Sequence, residues 1–120
     1  MTDDIKSLLI DAAKAAGIKG MFVGDDFYET RAGYLSYPWS PLTDDGDALR
    51  LAVQLGISLL PYPVYQVDGR HSVITKQRRQ SDTMREPNPT EVIELYNDDK
   101  FAATRLAITK SAAEIWRSKE

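Results

Sequence analysis

The longest regular pattern in the chain is "NDDKFAATRLAITKSAAEIWR", residues 97–117, and it limits the fold more than any other stretch. At about 100 degrees per residue, Phe101, Ile108, Ala112, Ile115 and Trp116 fall on one side of a helix, with Lys110, Glu114 and Arg117 on the opposite, solvent-facing side. Arg105 falls among the apolar set. An unpaired guanidinium there costs several kcal/mol, so it needs a carboxylate, carbonyls or a bound anion. One reading is a structural salt bridge to Asp44 or Asp45, clamping the tryptophan loop onto this last helix. The other is a pocket arginine that recognises a phosphate through its fork of donors. The many aspartates near helix caps favour the first.

A second amphipathic helix runs from Asp3 to Ala16, with apolar residues at three-and-four spacing and Gly17 as its stop. "IKGMFVG" fits either a short buried strand or a helix tail that packs Met21 and Phe22 inward. "DDFYETRAGYLSYPWSP" is rich in turn formers and aromatics without a clean period, which predicts mostly loop with a strand allowed near Tyr34. The next helix is capped by Thr43 or Asp44, has Asp45 and Asp47 near its positive end, and is bracketed by a Leu42–Ala48 staple. Leu49, Leu51, Ala52, Val53 and Leu55 cover most of its circumference, predicting deep packing with only Arg50 and Gln54 exposed, until Gly56 ends it.

Beyond it, Val64–Val67 and Ser72–Lys76 flank Asp68-Gly69, a hairpin signal, and Pro61 and Pro63 assign the first strand to an edge or irregular position. "QSDTMREPNP" reads as a mobile loop and "TEVIELY" as a further strand. Asn97, Asp98 and Asp99 offer caps for the last helix. The expected fold class is α+β: a small antiparallel sheet packed with helices, in a single domain spanning residues 1–120.

The 120 residues suffice for one core, and 42% hydrophobic with 28% charged residues is the composition of an ordinary globular protein. With no cysteine and one histidine, a disulfide, a thiolate nucleophile and a multi-histidine metal site are all excluded. A net charge of -3 argues against general nucleic-acid binding. The amino terminus has neither the signal-peptide nor the membrane-span pattern, and the expectation is a cytoplasmic protein.

Trp39, between Pro38 and Pro41, reads first as a lid over helix ends and second as a stacking platform. "KQRRQ" with Arg70 and His71 is expected to make one end of the hairpin positive. His71 lacks a catalytic partner, and the acid runs at Asp25, Asp44 and Asp98 lack the ligand spacing of a calcium loop. No glycine-rich phosphate loop is present. Catalytic residues, a cofactor and a metal are accordingly not expected.

"WSPLTDDGDALRLAVQLGI" (39–57) and "NDDKFAATRLAITKSAAEI" (97–115) resemble the phage ABA sandwich domain family, small phage and prophage proteins. The resemblance covers both helices, and the amino-terminal helix more loosely. It implies a helix-sheet-helix sandwich. A further resemblance is to the phage Thoeris anti-defence sponge proteins, which sequester cyclic ADP-ribose isomers and related cyclic nucleotides. It implies a ligand-binding anti-defence protein, not an enzyme, with Arg105 and Asn97 as the positions carried over. The pocket would add Arg78 or Arg79 for phosphates and Trp39 or Tyr62 against a base, and a homo-oligomer would be compatible with it. The alternative is an interaction protein that binds a host or phage protein through its aromatic loop, with Arg105 purely structural; a small enzyme ranks third.

Overall fold

The computed structural model describes residues 2–67, 70–77, 92–96 and 99–119, with the backbone alone for 60–67, 70–74, 76–77 and 93–96. In chain order it contains α1 (Asp3–Ala15), β1 (Gly20–Val23), β2 (Asp26–Arg31), β3 (Tyr34–Pro38), α2 (Asp45–Leu55), β4 (Ile57–Val67), β5 (Arg70–Gln77), β6 (Val92–Tyr96) and α3 (Lys100–Arg117). This is the expected α+β class: three helices and an antiparallel β4-β5-β6 sheet packed together. A second antiparallel sheet, β1-β2-β3, was not expected.

That second sheet corrects the reading of residues 25–41 as mostly loop. Alternation across Phe27, Glu29 and Arg31 against Tyr28 and Thr30 supplies a strand period. Ala32 (φ 53°) and Gly33 (φ 81°) form the two-residue connection between β2 and β3, consecutive positive φ values matching the twist of a primed hairpin turn. An alanine is strained in that region, so Ala32→Asn is expected to stabilise the hairpin by about 0.5–1 kcal/mol. Slower amide exchange in residues 26–38 would register the gain; unchanged exchange would mean that the turn does not limit opening of the hairpin.

Pairing places Phe22 and Phe27 on one face of the sheet, against the helices, and Met21 and Val23 on the other. Met21 is 54% exposed, contrary to inward packing, while Phe22 meets Phe27 edge-on at 5.2 Å. Gly20 is required here for space: a Cβ would lie 2.6 Å from the Phe27 ring and 2.4 Å from the Tyr28 carbonyl oxygen.

The last helix proves more central than its sequence pattern implied. Ile108, Ala112 and Ile115 share a core with Leu9, Ala12 and Ala13 of α1 and with Ala48, Leu51 and Ala52 of α2. Ala103, Ala107 and Ser111 form a stripe of small residues on the sheet side, where Val92 packs on the two alanines. The Thr75 hydroxyl reaches the Ala107 carbonyl oxygen at 3.0 Å and also hydrogen-bonds Ser111. Helix and strand backbones therefore approach closely, and three hydroxyl side chains (Thr75, Thr109 and Ser111) are fully buried.

The expected solvent side of α3 is not free either. Lys110 and Glu114 are half-buried, and Arg117 Nε donates to Asp11 Oδ2 at 2.8 Å, tying α3 to α1. This bond holds the Arg117 guanidinium more firmly protonated than usual. Phe101, by contrast, is 61% exposed, because it precedes the part of α3 that the other helices cover.

Helix α2 is capped at its start by Asp44, whose carboxylate accepts the Asp47 amide hydrogen at 2.8 Å, and at its end by Gly56 in the left-handed region. It is not deeply packed all round. Leu49 and Val53, one turn apart, are 59% and 74% exposed, because the core meets only the stripe of Ala48, Leu51, Ala52 and Leu55.

Strand β4 begins at Ile57, earlier than expected, and lies at the edge of its sheet, as its prolines required; the register shifts between Tyr62 and Gln66. A single positive hairpin end is ruled out by the register. Gln77 and Lys76 pair with Ile57 and Ser58, whereas Arg70 and His71 pair with Val67 and Gln66 at the turn end. About 3.3 Å per residue separates Arg70 from Lys76 by roughly 20 Å. Among the described residues, no helix is long and apolar enough to cross a membrane.

Candidate functional site

Arg105 projects from α3 toward the loop that enters α2. Its Nε donates to the Leu42 carbonyl oxygen at 2.9 Å and its Nη1 to Asp45 Oδ1 at 2.6 Å. The side chain is 17% exposed and that of Asp45 is 75% exposed, so the arginine is largely enclosed while its carboxylate partner stays hydrated. This is the expected clamp between the tryptophan loop and the last helix, made to Asp45 and not to Asp44. A carbonyl held by a charged donor fixes the loop, and the exposed ion pair adds less.

Trp39 is 7% exposed and meets Phe27 edge-on at 5.5 Å. It packs as the lid reading requires, with Pro41 buried beside it. Its amide hydrogen bonds to the Phe27 carbonyl oxygen at 2.8 Å, which carries β2 into the loop. Tyr62 is placed by its backbone only, opposite Ser72 on the edge strand β4. Asn97, Arg78 and Arg79 lie outside the described residues. Of the six expected site residues, the structure brings Arg105 and Trp39 to opposite ends of one short loop.

A different set of residues lines a sizeable concavity. Beneath β2 and β3, facing the start of α2, lies an open groove of about 840 Å³. Glu29, Arg31 and Tyr37 line it from the sheet, and Asp44, Asp47 and Arg50 from the helix, with Trp39 at its inner wall; Arg105 is not among the described lining residues. The strand register explains the grouping, since Glu29 pairs with Tyr37 and both share the inner face with Arg31. The register shifts at a bulge between Glu29 and Thr30, where the Ser36 hydroxyl donates to the Glu29 carbonyl oxygen at 3.2 Å; such a bulge bends the strand locally.

The groove's polar groups are partly committed. Asp47 accepts the Ser40 amide hydrogen at 2.9 Å and the Arg50 guanidinium at 2.7 Å; this pairing raises the Arg50 pKa. Arg31 Nε reaches Glu29 Oε1 at 3.4 Å, and its guanidinium lies 5.9 Å from the centre of the Tyr37 ring. Such a set can hold charged or hydrogen-bonding groups against an aromatic face. Sequence reasoning missed Glu29, Arg31 and Tyr37 because their segment was read as loop. The alternation in "FYETR" followed by Ala-Gly was the available signal.

A smaller groove of about 400 Å³ lies between α1 and β1, lined mostly by apolar groups including Ile10, Ile18, Met21 and Phe22. Among the described residues, no cluster of three or more histidine, cysteine or acidic side chains is arranged to hold a metal. Comparison of the chain with protein-family models, curated proteins and solved structures finds no match.

Proposed function

We propose that the protein is a non-catalytic interaction protein of phage or prophage origin that docks a protein partner on its β1-β2-β3 sheet. One observation carries the reading. The sheet meets the helices through Phe22, Phe27 and Trp39, yet leaves Met21, Val23, Tyr34, Leu35 and Tyr37 between 48% and 76% exposed. By the strand register Met21, Val23 and Leu35 lie on the outer face of the sheet and Tyr34 and Tyr37 on the face with Glu29 and Arg31, so both faces carry exposed apolar groups of the kind that mark interaction sites where they gather. Docking uses the faces of the sheet and not its β3 edge, because β3 is bulged and closes on Pro38, which has no amide hydrogen to offer an added strand.

The test is affinity capture from the native host with the parent chain and with Leu35→Glu and Tyr34→Ser variants. A partner recovered with the parent, lost with the sheet variants and retained by a remote Lys119→Gln variant supports docking. Equal recovery with all of them sinks it. A second reading, sequestration of a cyclic nucleotide, draws on Arg31, Arg50 and Tyr37 meeting in one groove. Native mass spectrometry with a panel of cyclic nucleotides tests it, an intact nucleotide retained at micromolar concentration being the supporting result.

A further inference from the structure

The groove beneath the sheet carries a charge preference. Among its described lining residues the carboxylates are Asp26, Glu29, Asp44 and Asp47, and the only cations are Arg31 and Arg50. Arg50 is neutralised by Asp47, and Arg31 by Glu29. Asp44 lies at 3.8 Å from Arg50, at the limit of pairing, and Asp26 is exposed. The concavity therefore holds an excess of negative charge, which its walls focus outward. Tyr37, 63% exposed, shows what suits its ring: a guanidinium, that of Arg31, already lies over it.

We infer that the groove receives a basic segment of the partner, an arginine- or lysine-bearing loop or tail whose cationic side chains reach Asp26 and Asp44 and lie against Tyr37. Resting on the docking reading, this inference names the partner's chemistry. An acidic or phosphate-bearing ligand would meet the excess carboxylates and would have to displace Glu29 and Asp47 from their arginines, so charge complementarity disfavours it.

A capped triarginine peptide is a direct probe, followed by amide chemical shifts of the full chain. Shifts should concentrate in residues 26–31, 37–47 and 50. An Asp26→Asn, Tyr37→Ala double variant should weaken binding about fivefold or more, because it removes one carboxylate and the aromatic face without touching the helix cap. An Asp3→Asn variant changes the net charge by the same amount at the exposed start of α1 and should weaken binding less than about twofold. Equal losses in the two variants would show that the peptide senses net charge alone and would overturn the inference, as would shifts scattered over the surface or tighter binding of triglutamate or inorganic phosphate. If the peptide fails in these ways while the sheet variants still lose their captured partner, the docking reading stands and only the basic-segment assignment falls.

Discussion

Ala107→Leu is expected to lower stability by about 3 kcal/mol or more, the upper range for overpacking a close-packed interior. Ala107 is fully buried in the stripe that α3 turns to the sheet, with Ala103 and Ser111 one turn away on either side. Its carbonyl oxygen is within 3.0 Å of the Thr75 hydroxyl, so one threonine side chain spans the gap between helix and strand. Leucine's extra carbons have nowhere to go unless the helix moves outward. Moving it would pull Thr75 from Ser111 and Ala107, stranding buried hydroxyls at about 1–3 kcal/mol each. Urea denaturation measures the loss directly, and for a chain of this size each kcal/mol corresponds to a Tm decrease of about 3–6 °C. A loss below about 1 kcal/mol would mean that the β4-β5-β6 sheet is docked loosely enough to give way.

Arg105→Met should cost about 1–2 kcal/mol, and the magnitudes say where the loss arises. Methionine keeps most of the volume and removes the donors. The ion pair contributes little, because Asp45 is 75% exposed and remains solvated when its partner leaves. The Leu42 carbonyl, in a partly buried setting, loses a charged donor, and the loop from Trp39 to Asp44 loses its tether to α3. A matching Asp45→Asn variant should therefore cost no more than about 0.5 kcal/mol. Thermal melts of both variants decide the point: an Arg105→Met protein as stable as the parent would sink the clamp, and a large loss from Asp45→Asn would assign the energy to the ion pair instead.

Arg105 also shows how far a sequence can be read. Its place in an apolar helix face announced that it needed a partner, and the plentiful cap aspartates made a salt bridge the favoured answer. The carbonyl of Leu42 could not be foreseen, since a backbone group becomes an available acceptor only once the loop has its shape. The groove was illegible for a related reason. Glu29 and Arg31 alternate with Tyr28 and Thr30, but aromatics on both faces of the segment hid the period. Residues 49 and 53 misled in the opposite direction: apolar side chains suggested a helix buried all round, and their exposure reflects how little of α2 the other elements cover.

Local chemistry in the sequence determined the helices, the short sets of cap candidates from which the fold takes Asp44 and Asp99, the stop at Gly56, an edge or irregular position for the proline-bearing strand and the α+β class, because each depends on residues within a few positions of one another. Tertiary structure alone decided that α3 is covered by helices on one side and a sheet on the other, that Asp45 takes Arg105, and that Tyr37, Arg31 and Arg50 meet across one groove. Those outcomes depend on which surfaces are brought together when elements far apart in the chain pack, and apolar periodicity states only that a face must be covered.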